Sequence, residues 1–169
     1  MYKFLFLITF IILHQDIAKA KKPDPNNFNQ KYLSNYFSAI ISAKNQNDLK
    51  AISYFNNSKN LIKFHKNFLE NYVFSLVSSG KIKRSIVELK KFNSENLDIF
   101  FEGHLILFID SINNKNFEKA GSHLRELSKF QNNDTYQIII TETLRSYLDL
   151  FTNKKIIRTN KDFGKLSLI

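Results

Sequence analysis

From Gln30 onward apolar residues recur at intervals of three and four. Tyr32, Leu33, Tyr36, Phe37, Ile40 and Ile41 make one broad face, the mark of an amphipathic helix. The polar run "KNQND" interrupts it, and Asn47 or Asp48 is suited to cap the next helix, because a short side-chain oxygen can accept from the unpaired N–H groups of a first turn. Leu49, Ile52 and Phe55 carry a second, shorter helix that stops at "NNSKN". The period resumes in "LIKFHKNFLENYVFSLV", with Phe64, Phe68, Tyr72, Leu76 and Val77 in step. "SSG" ends that helix, and Gly80 supplies a residue at home in the left-handed region. Ile82, Ile86, Leu89 and Phe92 mark a return helix. Ser94 is placed to cap the segment "ENLDIFFEGHLILFIDSI"; "NNKN" turns it and "FEKAGSHLRELSKF" comes back. Asp134 with Gln137 reads as a capping box opening a last helix from Tyr136 to Phe151. The pattern predicts an all-α chain of about seven helices in up-and-down order, three hairpins and one more.

The punctuation repeats. Ala51 to Ser85 is 34 residues and Ser85 to Ala120 is 35, and Phe55, Leu89 and Leu124 take the same two steps. A small residue early in each return helix lets its partner approach closely, and a large one a turn later fills the space beside it. Helix pairs at this period are the signature of tetratricopeptide repeats, and over residues 30–151 the chain resembles that family. The units are 30–60, 61–94 and 95–132, followed by the helix at 136–151. The match is fullest in the second unit, at Leu69, Tyr72, Leu76, Gly80, Ile82, Ser85 and Leu89. The third keeps Phe117, Ala120 and Leu124, with His104 where the family often has Trp and Phe108 where a small residue is usual. In the first unit the turn reads as one residue short, which puts Leu49 out of phase with Ala51.

The resemblance implies a right-handed superhelix of antiparallel helix pairs, an α-solenoid, whose first helices line a concave face. Carried onto this sequence, the groove positions are Tyr36 and Ile40, then Glu70, Phe74 and Val77, then Leu105 and Ile109. In the family's peptide-carboxylate clamps those places are polar and basic. Here they are mostly apolar and aromatic, so the implied partner is a protein or peptide offering an apolar helix or strand. Later repeats or the chain's own tail are the alternative occupants.

Composition supports the helical reading. There are 17 Phe and 7 Tyr but only 4 Gly and 2 Pro, too few turn formers for a strand-rich fold. The formal net charge of +10 raises nucleic acid and anionic membranes as partners. The lysines are spread over the predicted helices, however, and nucleic-acid binding is not expected. The first twenty residues, "MYKFLFLITFIILHQDIAKA", begin with Lys3, run apolar from Phe4 to Leu13 and end in Ala18-Lys19-Ala20. The apolar run is shorter than the roughly 20 residues a membrane span needs, and the ending is a small-x-small cleavage pattern. The expectation is a signal peptide at 1–20 cleaved after Ala20, export to the periplasm, and a flexible leader at 21–29 that holds both prolines. The chain also resembles exported repeat proteins of AT-rich bacteria, which carry such a leader before divergent repeats.

Chemistry is scarce. With no cysteine there is no thiolate metal site, disulfide or lipid-attachment thiol. His65, His104 and His123 follow no zinc spacing, and no nucleophile elbow or phosphate-binding glycine loop occurs. His104, on an apolar helix, reads as a packed core or groove residue ahead of a ligand or base. Glu70 and Glu102 could form an acid pair but read as solvated or capping carboxylates. Lys81, Lys83, Arg84, Lys90 and Lys91 cluster around one turn and read as a charged outer face. No catalytic residue, cofactor or metal is assigned. The last helix sets Ile138, Ile139 and Ile140 in successive directions, so no single face hides all three. Either it docks on a partner or a second copy, or, the favoured reading, the chain is the front portion of a longer repeat protein, with 152–169 a basic tail or the start of a further repeat. The function expected is a non-catalytic protein-binding scaffold of the bacterial cell envelope. The rivals are the N-terminal repeat region of a larger envelope enzyme and a membrane-associated assembly factor that keeps its apolar N-terminus.

Overall fold

A computed structural model describes residues 29–65, 67–94, 98–130 and 134–153. The expected signal peptide, residues 21–28 of the leader and the stretch beyond 153 lie outside the described residues. Within them the chain is all-helical, with seven α-helices and no strand: α1 Gln30–Lys44, α2 Asp48–Asn57, α3 Phe68–Ser78, α4 Ile82–Ser94, α5 Phe101–Asn113, α6 Phe117–Ser128 and α7 Thr135–Asn153. A 3-10 turn, Lys59–Leu61, stands between α2 and α3. Each helix packs against the next in chain order.

The three joints α1–α2, α3–α4 and α5–α6 are built alike. Gln46, Gly80 and Lys115 take φ values of 58°, 75° and 57°, each two residues before the following helix. The next residue's N–H reaches back across the turn: Asn47 donates to Ser42 at 2.9 Å, Lys81 to Leu76 at 2.8 Å and Asn116 to Ser111 at 2.8 Å. This is the Schellman closure of a helix end. Asn47 and Asn116 also cap α2 and α6, their side chains accepting from the N–H groups of Lys50 and Lys119. The first joint is therefore as long as the others. Asp48 takes the place that Ile82 and Phe117 hold, and Leu49 is exposed.

At the fourth position of α2, α4 and α6 stand Ala51, Ser85 and Ala120, each 0% exposed. The Ser85 hydroxyl donates to the Ile82 carbonyl at 2.7 Å, so burying it leaves no hydroxyl unpaired. Three cores follow along the chain. Tyr36, Ala51, Phe55, Phe68 and Tyr72 belong to the first, where the Tyr36 and Phe68 rings stack at 5.4 Å. Leu69, Val73, Leu89 and Leu107 belong to the second, and Phe101, Phe108, Ala120 and Leu124 to the third. α3 thus serves the first core with one side and the second with the other, and α5 does the same one step on.

A polar clasp ties the first unit to the second. The buried Tyr72 hydroxyl donates to Asn56 Oδ1 at 2.8 Å, Arg84 donates to the Tyr72 oxygen at 3.1 Å, and Glu88 pairs with Lys59. Burial, and then the neighbouring Glu88 carboxylate, push the Tyr72 phenol up to about 12.

Two helices begin later than the pattern predicts. The apolar period of "LIKFHKNF" is satisfied by a 3-10 turn, whose spacing of three resembles that of a helix, and α3 starts only at Phe68, leaving Phe64 exposed. Ser94 ends α4 instead of capping α5. Residues 98–100, directly ahead of α5, are not helical, and Ile99 folds over Gly103. A Cβ at Gly103 would lie 2.6 Å from Ile99 Cγ2 and 3.1 Å from Leu89 Cδ2, so only glycine permits the approach. At the last helix the Asp134 side chain accepts from the Tyr136 N–H at 2.9 Å, the half of the expected cap that the structure displays.

Two outcomes follow from the joints. Gly80→Ala should destabilise by about 1 kcal/mol, because an L-residue pays for the left-handed conformation. Lys115→Gly should stabilise slightly, its relief of that strain being partly offset by the larger chain entropy of glycine when unfolded. Urea unfolding of the three proteins checks both signs. Ala120→Leu should cost about 1–3 kcal/mol by overfilling the α5–α6 contact, whereas Lys119→Leu, one residue away and exposed, should cost far less.

Candidate functional site

The groove positions carried over from the resemblance divide into two sets. Tyr36 is interior, its ring 4.8 Å from His65 and stacked on Phe68. It is a core residue and is not open to a partner. Ile40 packs on the first core, Val77 on the second and Leu105 on the third, each partly buried. Glu70 is half-buried in the first turn of α3, where a carboxylate complements the helix dipole. Glu102 takes the same role in α5, and no acid pair joins the two. The open positions are Phe74, 44% exposed, and Ile109, 55% exposed. Ile40, Phe74 and Ile109 stand 34 and 35 residues apart, at one register on α1, α3 and α5. The Phe74 ring lies 6.0 Å from that of Phe100. Ile40, Phe74 and Ile109 thus hold one apolar place in the repeat, one on each first helix.

The basic cluster is not one patch. All five side chains are exposed, but Arg84 turns toward Asn56 and Tyr72 and Lys90 pairs with Asp110 on α5 at 2.6 Å.

A second feature was not legible in the spacing. A cleft of about 1050 Å³ opens between the start of α3, the entry to α5 and the exposed side of α6. Phe64, Phe100 and Phe130 contribute to its walls, and His104 and His123 reach it from α5 and α6. His104 is 6% exposed, and its Nδ1 lies 3.3 Å from Nδ1 of His123. The Phe130 ring stands 6.3 Å from His104. Burial lowers the His104 pKa to about 4; His123 and Lys129 push the same way and Glu126 opposes them. Burial also lowers His123. Two imidazoles this close are stable neutral and repel when both are charged.

Glu126, three residues on from His123, pairs with Lys129 at 2.7 Å at the rim. Among the described residues no three His, Cys, Asp or Glu side chains already converge as a metal cage, and no helix is long and apolar enough to cross a membrane. No protein-family model, curated protein or solved structure matches this chain.

The histidine pair makes stability depend on pH. A buried imidazole whose folded pKa lies below its unfolded 6.5 contributes stability that is present above pH 6.5 and lost as pH falls toward about 4. The loss should be on the order of 3 kcal/mol. Chemical denaturation across that range should show the slope. His104→Leu, which places there the residue type found at the same register in the second unit (Leu69), should flatten it.

Proposed function

We propose that this chain is a non-catalytic protein-binding scaffold, built from divergent tetratricopeptide-like repeats stacked as a right-handed superhelix of antiparallel pairs, and exported to the periplasm by its N-terminal signal. The observation that carries the reading is the shared register of Ile40, Phe74 and Ile109, one residue from each successive first helix, with Phe74 and Ile109 open to solvent. Single exposed apolar residues are ordinary on protein surfaces, but a row aligned by the repeat period offers an extended apolar strip. An amphipathic helix or an apolar strand of a partner protein suits it, because either presents side chains at regular spacing. The congruent joints support the same reading, since a stack of like units presents its first helices as a series.

Photo-crosslinking amino acids placed at Phe74 and at Ile109 in the exported protein should each yield the same discrete protein adduct in cells. The same label at Lys83, exposed on α4, should not. Equal labelling at all three positions, or none at Phe74 and Ile109, would remove the strip as the docking surface.

A further inference from the structure

We infer that His104 and His123 are two ligands of a binding site for a divalent transition-metal ion of the zinc class, which would join α5 to α6. The first observation is the distance between the two Nδ1 atoms, 3.3 Å. Two imidazole nitrogens bound to one tetrahedral zinc, at Zn–N of about 2.0–2.1 Å, lie about 3.3 Å apart. The same distance admits a hydrogen bond between neutral rings, with one Nδ1–H donating to the other Nδ1; a bound ion would take the place of that shared proton.

The second is position. His104 is buried on α5, whereas His123 is half-buried on α6 at the wall of the open cleft. An ion and its waters can therefore reach the pair from one side, while the packed α5–α6 contact holds the rings from the other. The third is a carboxylate within the same cleft. Glu126 lies three residues beyond His123, and residues so spaced share a helix face. It is engaged with Lys129 in an exposed i,i+3 pair, the kind of surface contact that is readily exchanged. Rotation of Glu126 toward the imidazoles supplies a third ligand, and a water from the cleft supplies the fourth.

Coordination through Nδ1 needs both rings in the Nε2–H tautomer. Imidazole and carboxylate donors favour zinc, copper(II), nickel or cobalt(II) over calcium or magnesium. Bound there, the ion would pin the third helix pair and raise the stability of the folded chain by mass action. The inference stands apart from the protein-docking strip, since it involves neither Phe74 nor Ile109.

The test is titration of the metal-stripped full-length protein with Co²⁺ and with Zn²⁺. Cobalt should give the visible absorption of a tetrahedral complex at one equivalent, and zinc should displace it and raise Tm. His104→Gln and His123→Gln should each weaken zinc binding by more than the roughly 10–100-fold seen on losing a supporting partner. Glu126→Gln should have a smaller effect, and His65→Gln, beside Tyr36, none. His123 is the more exposed of the pair, so its variant keeps the test valid if His104→Gln fails to fold; circular dichroism distinguishes the two cases. No saturable binding, or binding that survives His123→Gln in a folded protein, would overturn the assignment.

Discussion

Two helices joined by a three-residue turn bury a common face only if their axes can approach, and the side chain at the crossing sets the limit. Here that side chain is the fourth residue of each return helix: Ala51, Ser85 and Ala120, all fully buried. Because the contact is made close to the turn, the turn itself must be reproducible. Gln46, Gly80 and Lys115 supply the same left-handed residue at the same distance from it. A glycine is the easy solution; the first and third joints accept a strained Gln and Lys because the N-capping asparagines that follow, Asn47 and Asn116, hold those turns from the other end. The second joint has Lys81 in that place and glycine before it. Strain and capping are exchanged between joints while the geometry is kept.

Once the joints are fixed, the first helix of each later pair must satisfy two neighbours. α3 sends Phe68, Tyr72 and Leu76 into one core and Leu69 and Val73 into the next. That demand explains why its sequence is apolar over more than one stripe, and why α5 is as well. The return helices α4 and α6 carry narrower apolar faces, which leaves their outer sides to lysine. Of the net charge of +10, +6 is carried by residues 1–28 and 154–169 and only +4 by the helical region between them.

This architecture was largely legible in the sequence because its determinants are local. The spacing of Ala51, Ser85 and Ala120 and the turn residues before them required no knowledge of distant contacts. The helix starts were less legible. A 3-10 turn at Lys59–Leu61 and the non-helical entry through Ile99 satisfy the same apolar spacing as a helix, so periodicity alone overextended both elements. Leu49 misled for a related reason: an exposed leucine in the first turn, just after the capping Asn47, looks like the start of a buried face. Tyr36 was assigned to the groove by register, yet its ring is drawn inward by Phe68 and His65, aromatic neighbours that register does not specify.

The histidine pair marks the limit of sequence reading. His104 and His123 are 19 residues apart on different helices, and each alone is unremarkable. Register places His104 with Leu69 and His123 with Glu88, so the third unit departs from the second at both positions together. In the second unit Glu88 turns toward Tyr72 and Lys59 and fastens one pair of helices to the pair before it. In the third, the same place on the return helix turns to its own hairpin partner. A place that in the second unit also reaches the preceding unit through Lys59 makes in the third a contact to its own hairpin partner, at the wall of the cleft. Such a change is chemical rather than architectural, because packing alone would be satisfied by leucine at His104. Two polar, poorly solvated rings at that crossing are retained at a cost in burial, which is the physical reason to look for function there as well as on the apolar strip.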